Sequence, residues 1–280
     1  MKKKEFWIVV IILSIVILTK GYKQKGQNIL QTSFEANPKF YYQQIKPKQK
    51  NLRQQLNNLI SKQKKISYHQ VWSAFEQLDI TGNCGRGIED IYSSNCWLPG
   101  NRRRGGQQCN KFVKKEGKCY NREHSWPKSW WGGSNRFDSF TDLHHLFPTD
   151  GYVNFRRGNL PFGEVISPIT YESTNGAKIG RCRHNPRRKC FEPHFQYKGD
   201  LARVYFYMSV RYMKTFRCCI KEGIKKWKMD SWLLRILKKW HVEDPVSPKE
   251  RIRNDKIYMI QGNRNPFVDN PTWVKLIKFD

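Results

Sequence analysis

Residues 120–131 read YNREHSWPKSWW and residues 141–159 read TDLHHLFPTDGYVNFRRGN; the way these two stretches meet decides the fold. Short apolar alternation near Cys119–Trp126 and over Leu143–Phe147 predicts two strands. Thr149 or Asp150 can then cap a helix that runs through Val153 to Arg157. Strand, loop, strand, helix is an order that brings residues near 123, 144 and 159 together. An acid, Glu123, stands directly beside a base, His124, in an otherwise cationic stretch. Neighbours on a strand point to opposite faces, so the two serve one substrate only if the strand ends or twists there. Pro127 makes an ending plausible.

Outward from this centre the periodicity is helical. Tyr68, Val71, Trp72, Phe75 and Leu78 fall on one face, and Leu52, Leu56 and Leu59 suggest a more polar helix before them. Leu201, Val204, Tyr205, Met208 and Tyr212 repeat the spacing, as do Met229, Trp232, Leu233, Ile236, Leu237 and Trp240. Stripes of this kind are core faces rather than cofactor boxes. Pro245 and Pro248 precede a last helix near 249–260, which Gly262 ends. The expected class is α+β, one mixed domain over residues 50–280.

Residues 1–20 are a different object. Three lysines precede a stretch from Phe6 to Leu18 that is apolar except for Ser14. This reads as a secretory signal, or as an uncleaved N-terminal membrane anchor over residues 6–18. Residues 21–49 are polar, rich in Gln, Lys and Asn, and read as a linker. Export to a secreted, periplasmic or extracellular location agrees with eight cysteines, an even number. Cys182 and Cys190 bracket a short basic loop and are the best candidates for a bridge. The absence of Cys-x-x-Cys argues against a zinc ribbon.

Lys and Arg number 52 against 23 Asp and Glu, a formal charge of +29, and +26 remains without residues 1–20. Such a surplus points to a polyanion. The clusters Arg102–Arg104, Arg156–Arg157 and Arg187–Arg188, with Arg122 beside the acid–base pair, are candidate phosphate contacts. No segment looks like a base-reading helix, so little sequence specificity is expected.

Phosphodiester hydrolysis needs a deprotonated water, neutralised phosphate oxygens and a stabilised leaving group. A neutral histidine takes the proton. A hard cation held by a carboxylate and an amide oxygen polarises the phosphate. An arginine clamps the remaining charge. Glu123, His124, Asn159 and an arginine such as Arg136 form that minimum set. Asn159 beside Gly158 equally suits a helix C-cap. His144 and His145 are expected on opposite sides of a strand, one orienting the site and the other packing.

Together, NREHSWPKSW, DLHHLFPTDGYVNFRRGN followed by FGE, GDLARVYFYM and GNRNPFVDNP resemble the endonuclease I family of secreted, non-specific nucleases with a ββα-metal active site. The resemblance runs from about Ser67 to Pro271. It implies a ββα-metal core and hydrolysis of DNA and RNA to 5′-phosphates with one Mg²⁺, Ca²⁺ or Mn²⁺ ion. It also implies Glu123 and Asn159 as metal ligands, His124 as general base and, by position in the following loop, Arg136 as phosphate clamp. The nucleic acid would be held through its backbone by a monomer. The rival reading is an inactive, secreted, basic nucleic-acid-binding protein, which would need none of Glu123, His124 and Asn159.

Overall fold

The computed structural model describes residues 37–100, 105–216 and 220–280. The signal or anchor segment, Arg102, Arg103, Cys218 and Cys219 therefore lie outside the described residues. Two compact units divide the chain, Met1–Ile45 and Lys46–Asp280. Within the first, the stretch expected as linker holds a helical turn, α1 (Pro38–Tyr41), where Pro38 opens the turn and the Asn37 side chain accepts from Lys39 N.

In the second unit, α2 (Leu52–Ile60) and α3 (Gln70–Leu78) match the leucine and aromatic spacings. The short strands β1 (Ile88–Glu89) and β2 (Cys96–Trp97) follow. Next come β3 (Tyr120–His124), β4 (Leu146–Asp150) and α4 (Gly151–Arg157). An antiparallel meander holds β5 (Val165–Glu172), β6 (Lys178–Cys182) and β7 (Asn185–Glu192). After it come α5 (Lys198–Arg211), the small strands β8 (Ile220–Lys221), β9 (Ile224–Lys225) and β10 (Lys228–Met229), then α6 (Ser231–Glu243), α7 (Pro248–Gln261) and α8 (Pro266–Asp269). The class is α+β.

α3 presents Val71, Trp72, Phe75 and Leu78 to a core shared with Trp97, Tyr120, Leu143, Leu146 and Ile257. That core carries the back of β3, because Tyr120 is fully buried with Trp97 stacked on its ring and Trp72 edge-on. α5 departs from its sequence pattern. It is buried nearly all round, charged residues included, and not along one stripe. Asn57 of α2 donates to Val210 O and Arg211 O, while Arg203 meets Asp200 and Glu250, so these buried polar side chains have partners. α7 is capped by Ser247 and ends at Gly262, whose φ of +79° suits glycine. Met229 belongs to β10, and α6 starts two residues later.

Among the described residues, three disulfides join Cys84 to Cys96, Cys109 to Cys119 and, as expected, Cys182 to Cys190. None of the helices among the described residues is long and apolar enough to cross a membrane.

β3 and β4 pair antiparallel with Tyr120 opposite Asp150 and His124 opposite Leu146. α4 follows β4 without an intervening loop. Asp150 is its cap: Oδ1 accepts from Tyr152 N and Val153 N, while Oδ2 accepts from Gly117 N. The second strand starts at Leu146, three residues later than its apolar pattern suggests. His144 and His145 are therefore not on a strand. They sit in the turn before it, where Asp142 receives His144 N through Oδ1 and His145 N through its carbonyl. Asp142 is itself buried and also takes the hydroxyls of Tyr207 and Tyr212, which fixes the turn. Asp150→Ala should lower stability by about 1–2 kcal/mol in urea unfolding. Asp150→Asn, which can still cap, should recover most of the loss, and equal losses in both variants would show that the cap is not what matters.

Candidate active site

β3 ends at His124, and Glu123 and His124 border one cleft although their side chains have different neighbours. Glu123 points toward Tyr92 and Arg157. The Tyr92 hydroxyl donates to its Oε1 at 3.0 Å, and Arg157 Nη1 meets the same oxygen at 3.0 Å. His124 points into an aromatic shell of Tyr68, Trp131 and Phe140, with the His145 ring 5.3 Å away. Its Nε2 lies 3.0 Å from the Phe140 carbonyl, which only accepts, so Nε2 carries the proton. The lone pair is left on Nδ1.

Burial pushes the His124 pKa well below its ordinary value, and nearby His145 adds to the effect. The ring is neutral at pH 7. The Glu123 carboxyl is raised by burial, with Arg157 opposing the rise. For Arg157 burial works against the charge, but Glu123 together with Tyr92 and Tyr205 outweighs it, and the guanidinium stays protonated.

Arg157 ties the end of α4 to β3. Nη1 donates to His124 O at 3.2 Å and Nη2 to Ser125 O at 2.7 Å, in addition to the pair with Glu123. Arg157, expected to meet nucleic acid, is instead 1% exposed, and its terminal nitrogens are taken up by protein oxygens. The reason is helical geometry, since Arg157 lies four residues after the buried Val153 and shares its face. Arg156, one position earlier, turns outward to Thr170 O and stacks on Tyr171.

Gly158, at φ +53°, ends α4, so the glycine and not Asn159 takes the cap position. Asn159 is exposed, with Nδ2 3.5 Å from Ser129 Oγ. Glu123, His124 and Asn159 all border one cleft of about 620 Å³. Lys111, Arg122 and Lys128 line it with them. Arg122 is held there by Tyr68: the guanidinium lies 3.4 Å from the ring centroid and donates to Tyr68 O.

Arg136 does not border this cleft. It is exposed in the turn after Trp131, where its carbonyl and that of Asn135 receive Lys65 Nζ. His144 and His145 are buried and hydrogen-bonded to Asn263 O and Ser139 O. His145 braces His124 by ring contact, and His144 packs on Tyr207 at 4.5 Å. Arg187 and Arg188 are exposed on β7. The sequence reading missed Tyr92 and the bracing role of Tyr68. Tyr68 was visible only as part of an apolar stripe, and nothing local marks Tyr92.

The matching family model is Endonuclease I, over residues 48–272. The chain belongs to the endonuclease I family. It is 31% identical over 253 residues to an extracellular ribonuclease of Bacillus amyloliquefaciens, covering 85% of this chain and 78% of the relative. An extracellular ribonuclease of Bacillus subtilis (strain 168) is also 31% identical, over 80% of this chain and 72% of its own length. An extracellular deoxyribonuclease of Aeromonas hydrophila is 26% identical over 62% of this chain and 57% of its own. Membership in the endonuclease I family makes the chain an endonuclease.

No group of three or more His, Cys, Asp or Glu side chains that could hold a metal exists among the described residues. A carboxylate and an amide oxygen at one cleft are a different donor set. Both are hard oxygen ligands and suit a cation that keeps several of its waters, such as Mg²⁺, better than zinc. Arg157→Met should cost about 3–5 kcal/mol in urea unfolding, because it strands a buried carboxylate. Combining it with Glu123→Gln should return part of that loss, and strict additivity would show that the two groups are not coupled.

Proposed function

We propose that this endonuclease hydrolyses phosphodiester bonds of DNA and RNA, without sequence preference, to 5′-phosphate products, and that residues 50–280 form its catalytic domain. The carrying observation is the His124 ring: neutral, fixed in one tautomer by the Phe140 carbonyl, and bordering the same cleft as Glu123 and Asn159. On this reading β3, β4 and α4 are the ββα-metal core. His124 Nδ1 accepts a proton from water as its oxygen bonds to phosphorus. The bond from phosphorus to O3′ breaks, and O3′ leaves with a proton taken from solvent. Glu123 and Asn159 would hold one divalent cation, which when bound supplies charge neutralisation at the phosphate.

Arg122 takes the clamping role that the loop position had suggested for Arg136. Its support is the Tyr68 contact, which orients the guanidinium beside His124 in the cleft. Arg156, Arg187 and Arg188 lie outside the cleft and suit backbone contacts along a longer substrate. Secretion is supported by the three disulfides and by the extracellular relatives.

His124→Ala should lower plasmid nicking by about 10²–10⁴-fold while the circular dichroism spectrum stays that of a folded chain. EDTA should stop wild-type turnover, and added Mg²⁺ should restore it. Undiminished nicking by His124→Ala would remove the proposed base, and cleavage that persists in EDTA would remove the cation.

A further inference from the structure

Phe112 and Phe155 are 54% and 60% exposed, yet both border the cleft that holds Glu123, His124 and Asn159. Their rings touch edge to face, with centroids 4.5 Å apart and planes at 67°. An edge-to-face contact uses up at most one face of one ring, so flat apolar surface stays open.

The pair is held in place from both sides. Phe155 is on α4. Phe112 is in the loop that the Cys109–Cys119 disulfide closes. That loop is pressed on the start of α4: Gly151 N donates to Cys119 O at 2.8 Å, and a Cβ at 151 would collide with Cys109 Sγ. Glycine at this position is what lets loop and helix approach.

Single exposed apolar side chains are ordinary, but two phenyl rings in contact at the mouth of a polar cleft fit a ligand. The cations around them narrow its chemistry. Lys111 precedes Phe112 and is exposed in the same cleft, and Arg122 and Lys128 border it. A ligand that fits must offer flat aromatic faces and regularly spaced negative charge. A single-stranded nucleic acid offers both. In a duplex the base faces are covered by their neighbours, and only the charge is on offer.

We propose that Phe112 and Phe155 form a stacking platform for unpaired nucleobases beside the catalytic residues, so that the enzyme binds single strands in preference to duplex. The inference rests on the nuclease reading above and adds a substrate form to it. Deoxyribose and ribose strands present the same base faces, so the platform does not distinguish them.

The test measures binding by fluorescence anisotropy in EDTA, where nothing turns over. Probes are a labelled single-stranded DNA 20-mer, an RNA 20-mer of matching base sequence and the corresponding DNA duplex. They are compared on the oxidised wild-type chain, Phe112→Ala/Phe155→Ala and Phe155→Trp. The double variant should bind both single strands about tenfold more weakly and the duplex less than about twofold more weakly. Phe155→Trp, which keeps an aromatic face, should bind the single strands as wild type does. An unchanged single-strand affinity, an equal loss on the duplex, or a loss confined to one sugar type would each overturn the proposal. Cleavage of the same strands with Mg²⁺ is measured separately. A wild type that binds but never cuts would sink the nuclease reading and leave the stacking result standing on the anisotropy.

Discussion

The ion pair between Glu123 and Arg157 governs the architecture of the site. Both partners are almost fully buried, so each would be costly alone. Arg157 is accommodated because its two terminal nitrogens also reach the carbonyls of His124 and Ser125. One guanidinium thus joins the last helical turn of α4 to the last residues of β3. Asn159 follows two residues after it, past a glycine that reverses the backbone. The pair also explains why a basic protein keeps an acid in this place: the charge is needed inside, where a cation of its own already answers it.

The same device recurs across the molecule. Arg203 bridges Asp200 and Glu250, and Arg253 reaches Asp79 and the carbonyls of Leu143 and Leu146. Arg264 meets Asp255 and Asp269. These guanidiniums are buried or nearly so, planar and multidentate, which suits them to tying distant segments by several hydrogen bonds at once. The formal charge of +29 therefore overstates what a polyanion meets. Lysines and the arginines of the cleft and β7 carry the outward field, while a share of the arginine complement is internal framework.

This division marks how far the sequence could be read. The strand–strand–helix order, a helix cap at Thr149 or Asp150, the Cys182–Cys190 bridge and the end of α7 at Gly262 were all legible, because each rests on contacts close in sequence. Arg157 was misread as a substrate contact because its neighbour Arg156 is chemically identical and does face outward. The i, i+4 relation to Val153 was the available signal. Arg136 was placed by its position in a loop, and the chain path after Trp131 leads away from the cleft. Tyr92 joins Glu123 from 31 residues away, a pairing no local pattern announces. The histidines at 144 and 145 look like strand neighbours until Asp142, buried among tyrosines, bends the chain ahead of Leu146.

On the proposed reading the cleft poses an electrostatic problem that its ligands resolve together. Lys111, Arg122 and Lys128 border the space in which Glu123 and Asn159 would hold a divalent cation. One carboxylate, itself shared with Arg157, gives a weak cation site in that field. A phosphate entering the cleft reverses the balance, since it brings negative charge to the cation and to the arginine together. Cation and nucleic acid then raise each other's affinity by the same factor, as linkage requires. A cleft with more acids would hold the cation more firmly but would repel the backbone it has to receive. Sparse acid in a basic cleft makes cation binding depend on the substrate, and the aromatic rim adds contact area that leaves this charge balance unaltered.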